Sequence, residues 1–138
     1  MLKRVDHVAL AVHDLEEAIS LYRPIFGEDY YFREVNEEQG FEVAAFRVGH
    51  GHIEFLSPTR ADSVIASFLN KQGGGIHHIA FEVESLIEAV EAITATRLSL
   101  VSDTPRRGTD GSQIIFIHPK SAMGAMIELV EFPKSRVQ

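Results

Sequence analysis

Bulky apolar residues alternate with smaller or polar ones from His7 to Val12, so Val8, Leu10 and Val12 fall on one face of a strand and His7, Ala9 and Ala11 on the other, less apolar face. At Asp14 the period becomes helical. Leu15, Ala18, Ile19 and Tyr22 form one stripe, Asp14 and Glu17 have the spacing of a capping box, and Gly27 stands where such a helix stops. The same pattern returns 71 residues later, with His78 for His7, Ile79/Phe81/Val83 for Val8/Leu10/Val12, and Ser85/Glu88 for Asp14/Glu17. Leu86, Ala89, Val90 and Ile93 repeat the helical stripe, and Gly40 before "FEVAAFRV" becomes Gly111 before "SQIIFIHP". Register kept through strand, cap, helix and second strand marks an internal duplication of a β-α-β-β-β unit.

The last strand of each copy reads "GHIEFLSP" (51–58) or "GAMIELVEF" (124–132); here the offset from Glu54 to Glu128 is 74, which puts three extra residues in the hairpin of copy two. Between the copies, Val64, Ile65, Phe68 and Leu69 form the inner stripe of a connector helix over about residues 60–72, stopped by the glycines at 73–75. The expected organisation is one domain over 1–138, with module one at about 3–58 and module two at about 75–133. The fold class is α+β: two tandem βαβββ modules forming a cupped mixed sheet.

In each module the more apolar strand face belongs under the helix, which turns the other face inward. Ile53/Phe55 and Ile127/Leu129 are the helix-side pairs, so Glu54 and Glu128 face inward with His7 and His78, whereas His77 points the other way. A carboxylate between apolar neighbours must neutralise or find a cation, and two histidines with two glutamates in equivalent places predict a divalent metal site. His50 and His52 lie at a hairpin turn and are expected to be solvated, although His52 shares the Glu54 face. His13 begins a helix. His118 either closes a turn before Pro119 or binds substrate, and Arg106 and Arg107 read as solvated loop charges.

Composition narrows the chemistry. With 138 residues, 45% of them hydrophobic, the chain can build a proper core, and its longest apolar runs fall far short of the ~20 residues of a membrane span. No charged-then-apolar leader precedes Val5, so a soluble, cytoplasmic protein is expected. The absence of cysteine excludes disulfides and thiolate ligands, leaving histidine and carboxylate, which suit Zn, Co, Ni, Mn or Fe(II). A net charge of −7 argues against nucleic acid as the main partner. "KQGGGI" lacks the Lys-Ser/Thr of a phosphate loop.

The duplicated modules with His7, Glu54, His78 and Glu128 resemble the vicinal oxygen chelate superfamily, whose paired modules form a cup around a metal. Within it, "DHVALAV", "GHIEFLSP", "GGGIHHIAFEV", "IFIHPKS" and "GAMIELVEF" are similar to the methylmalonyl-CoA epimerases, over about Val5 to Pro133. The resemblance implies one divalent ion per chain (Co2+, Zn2+, Ni2+ or Mn2+) on those four residues, an acyl-CoA substrate, a homodimer, and epimerisation through an enediolate with Glu128 as one acid/base group. For the second base the nearest candidate is Glu42 in "GFEVAAF", one residue off the position some epimerases use; its repeat mate Gln113 is also polar within an apolar strand. A one-residue slip reverses a strand's face, so this assignment depends on register. Glyoxalase I, an extradiol-type dioxygenase with two histidines and one carboxylate on Fe(II), and a metal-free binding protein are the competing readings.

Overall fold

The computed structural model describes residues 1–27, 30 and 32–134. Its contacts divide into two compact units, one of residues 7–77 and one of residues 1–6 with 78–138. Among the described residues the chain forms eight strands and three α-helices, a mixed α+β fold.

Residues 7–77 hold the C-terminal half of β1 (Leu2–Ala11), α1 (Leu15–Phe26), β2 (Phe32–Asn36), β3 (Phe41–Val48), β4 (Gly51–Pro58) and α2 (Val64–Gln72). Strands run in the order β2-β3-β4-β1, with β4 antiparallel to β3 and parallel to β1. The helix begins where the sequence places it: Asp14 Oδ1 accepts a hydrogen bond from the Glu17 amide at 3.1 Å, satisfying a donor with no partner inside the helix. It ends at Gly27 with φ +73°, a left-handed position that a side chain would strain.

Leu15, Ala18 and Ile19 of α1 pack on Leu10, Ala44, Phe46, Ile53 and Phe55, and the rings of Tyr22, Phe26, Phe46 and Phe55 close this seam. Full burial of Phe46 and Phe55 stabilises the fold by about 1.5–3 kcal/mol each. The opposite sheet face is not left open as the sequence pattern predicts. Ile65 and Leu69 of α2 cover Ala9, Ala11, Val43 and Leu56, so the connector helix seals that end of the face. Ser63 caps α2 through its Oγ, 3.0 Å from the Ala66 amide.

The second unit repeats this plan with β5 (Gly75–Val83, from His78 onward), α3 (Leu86–Thr94), β6 (Arg106–Arg107), β7 (Gln113–Ile117) and β8 (Ile127–Glu131), in the order β5-β8-β7-β6. Ser85 caps α3, and Leu86, Ala89 and Ile93 pack on Phe81, Val83, Ile115, Ile117, Ile127 and Leu129. The tandem arginines are exposed, as expected, but form a two-residue edge strand antiparallel to β7 instead of a loop.

The start of the chain brings charge into this second unit. Glu82, 3% exposed, takes Arg4 Nε at 2.8 Å and Lys3 Nζ at 3.1 Å, while Arg4 also reaches Asp6 at 3.0 Å. Burial alone would raise the Glu82 pKa; the hydrogen bonds from Arg4 and Lys3 outweigh it and hold the carboxyl below its ordinary range. A depressed carboxyl pKa contributes stability that is present above the unfolded-state value and lost as pH falls through the folded one. Glu82→Gln should therefore cost about 1–3 kcal/mol at neutral pH and flatten the acid limb of the stability curve, a comparison that urea melts from pH 7 down to 3 will check. Equal losses in wild type and variant on acidification would assign the acid sensitivity to other groups.

Candidate metal centre

Strand register brings each histidine to its glutamate. In the parallel pair β1/β4, Ala9 lies opposite Glu54; in β5/β8, Ala80 lies opposite Glu128. Each histidine stands two residues before that alanine, on the same face and diagonal to the carboxylate, within reach of long side chains. Ala9 and Ala80 are fully buried, and their single methyl groups leave room for the diagonal approach. The duplicated spacing thus becomes a duplicated geometry: His7 Nε2 lies 3.8 Å from Glu54 Oε2, and His78 Nε2 lies 3.9 Å from Glu128 Oε1.

Both gaps are longer than a hydrogen bond. Two donors that each bind one ion at about 2.0–2.1 Å lie no more than about 4.2 Å apart, so each gap suits a pair of ligands facing a shared cation. His7, His78 and Glu128 are buried and Glu54 nearly so. Imidazole and carboxylate in this setting fit a divalent ion of borderline hardness. Phe116, opposite Glu128 in the β7/β8 register, presents its ring edge-on to His78 at 5.7 Å and shields that pair from water.

Glu42 does not belong to this face. In the β3/β4 register Ala45 is the residue opposite Glu54, and Glu42, three positions away on the strand, points to the α1 side. There its carboxylate takes two hydrogen bonds from Arg33 at 3.0 and 3.2 Å, and Arg33 also pairs with Glu16 of α1. These bonds, Glu42's first, hold the guanidinium pKa above its ordinary value. Glu42 is an ion-pair partner on the helix face, and its assignment as second base is withdrawn. Gln113 is likewise on the helix side of its sheet, in line with Ile115 and Ile117 that pack beneath α3.

Other histidines separate clearly. His13 and His50 are exposed. His77 turns away from His78 and meets Phe68 of α2 edge-on at 5.0 Å; burial holds its imidazole pKa below the ordinary value. His118 closes a turn, its Nδ1 accepting from the Lys120 amide at 3.1 Å. His52, expected in solvent, instead lies against the site: its side chain is 15% exposed, Nε2 is 2.8 Å from Glu54 Oε2, and its ring stacks on His7 at 4.7 Å. The sequence signal was its shared face with Glu54.

The family model for the Glyoxalase/Bleomycin resistance protein/Dioxygenase superfamily matches residues 6–116. The ethylmalonyl-CoA/methylmalonyl-CoA epimerase of Cereibacter sphaeroides is 37% identical over 131 residues, covering 94% of this chain and 98% of the relative. The mitochondrial methylmalonyl-CoA epimerase of Mus musculus is 37% identical, covering 93% of this chain and 72% of its own length. Among solved structures, a variant of the Streptomyces coelicolor methylmalonyl-CoA epimerase in complex with 2-nitronate-propionyl-CoA aligns over 100% of both chains, with 36% identity and a TM-score of 0.89. With its paired His–Glu diagonals in place, the chain belongs to the glyoxalase/bleomycin resistance protein/dioxygenase superfamily, alongside the methylmalonyl-CoA epimerases.

Proposed function

We propose that this protein interconverts the two epimers of methylmalonyl-CoA, or of a close 2-carboxyacyl-CoA, by moving the proton on the carbon between carboxylate and thioester. The observation that carries the proposal is the His–Glu diagonal repeated at one register in both modules, in a chain so similar to the epimerases. His7, Glu54, His78 and Glu128 would together hold one divalent ion (Co2+, Zn2+, Ni2+ or Mn2+), with the two modules acting as one domain. Such an ion supplies Lewis-acid stabilisation of the negative charge that develops when the α-proton leaves.

The remaining chemistry belongs to the chain. Glu128, buried beside His78 and opposite Phe116, has the water-poor setting in which a carboxylate takes up a proton from carbon and returns it. Epimerisation needs a second acid/base group on the other side of the substrate, and the face reversal at Glu42 removes that residue from the role. The homodimer and the cytoplasmic location expected from the sequence are part of the same proposal.

Wild-type protein loaded with metal should wash the α-hydrogen of methylmalonyl-CoA into D2O, and a chelator should abolish the exchange. Glu128→Gln should lose both the metal and the exchange. Absence of exchange with every 2-carboxyacyl-CoA tried, together with turnover of the methylglyoxal–glutathione hemithioacetal, would replace this reading with glyoxalase I. Elemental analysis should find about one ion per chain, and His78→Ala should retain less; full occupancy in that variant would remove His78 from the site. Glu42→Gln should keep both metal and exchange within about twofold, since removal of a true general base costs ~10²–10⁴-fold. Light scattering should give twice the 15.4 kDa chain mass, and a monomer at micromolar concentration would exclude the dimer.

A further inference from the structure

His52 stands outside the four proposed ligands yet its Nε2 lies 2.8 Å from Glu54 Oε2, within hydrogen-bond distance. The same oxygen lies 3.8 Å from His7 Nε2. Register explains the arrangement: His52 is the direct cross-strand partner of His7 in β1/β4, so the two rings stack with an interplanar angle of 18°. Phe32 of β2 also meets the His52 ring, in an edge-on arrangement with centroids 6.3 Å apart. The ring is therefore packed against both His7 and Phe32, with its Nε2 directed at the carboxylate.

We infer that His52 is a positioning residue for the metal centre: its Nε2–H donates to Glu54 and its ring braces His7, so that both module-one ligands are preoriented before an ion arrives. The inference rests on the metal site proposed above and adds a fifth residue to it. Partners that orient ligands typically change metal affinity by about 10–100-fold when removed. A carboxylate fixed by a hydrogen bond also loses less rotational freedom on binding than one that is free to turn.

Two substitutions separate the donor from the ring. His52→Phe keeps an aromatic ring against His7 but has no N–H, whereas His52→Gln keeps a donor and loses the stack. Co2+ affinity, measured by competition with a chromophoric chelator, and the visible spectrum of bound Co2+ are compared for wild type, both variants and Glu54→Ala, with thermal melts of the metal-free proteins reporting folding. The expected result is a 10–100-fold weaker affinity and an altered Co2+ spectrum for His52→Phe, with His52→Gln closer to wild type and the metal-free melting temperatures little changed. Wild-type affinity and spectrum in His52→Phe, with a clear loss in Glu54→Ala, would overturn the positioning role and leave the metal site standing. Equal weakening in both His52 variants with an unaltered spectrum would assign His52 to packing alone. No Co2+ binding by wild type, or none lost in Glu54→Ala, would overturn the metal reading and this inference together.

Discussion

Everything chemical in this protein depends on placing a carboxylate among apolar neighbours on a strand without isolating it. Parallel pairing solves the problem twice, by setting an alanine opposite each glutamate and a histidine two residues earlier on the same face. Parallel strands need a long crossover, and α1 and α3 in those crossovers cover the opposite sheet face with Leu15, Ala18 and Ile19 or Leu86, Ala89 and Ile93. Burial of the helix face is thus what orients the polar face. A slip of one residue in either pairing would put the phenylalanine and leucine side chains where the glutamates now are.

The two copies are not equal in their surroundings. In the first, Glu54 has a second imidazole beside it and α2 closes part of the same sheet face; in the second, His78 and Glu128 lie with Phe116, and no histidine takes the place of His52. Farther along β5, Glu82 carries a buried negative charge held by Arg4 and Lys3. Duplicated frames diverge in this way where each copy meets different chain: the Glu82 network draws on Lys3 and Arg4 at the start of β1.

The alternation of β1 and β5, the helical stripes and the caps were legible in sequence because each is a local periodicity with one physical reading. The closeness of His7 to Glu54 and of His78 to Glu128 was legible for the same reason, since both pairs follow from face assignment alone. Glu42 was misread because it is the glutamate nearest the position some epimerases use, whereas one residue along a strand is the other face, where Arg33 on β2 answers its charge and that of Glu16 on α1. His52 was misread because a hairpin turn suggests solvent, and only the β1/β4 register reveals the ring of His7 against it. Pairings between distant strands leave no period in a sequence, so the polar partners they create are seen only when the strands are paired.

The central proposal is that His7, Glu54, His78 and Glu128 hold one ion. Anomalous diffraction at the cobalt edge from crystals of the Co2+-loaded protein tests it most directly. The account predicts one peak per chain, within about 2.0–2.3 Å of donor atoms from His7, Glu54, His78 and Glu128. A separate peak on each His–Glu pair, or a single peak bonded to residues other than these four, would contradict it.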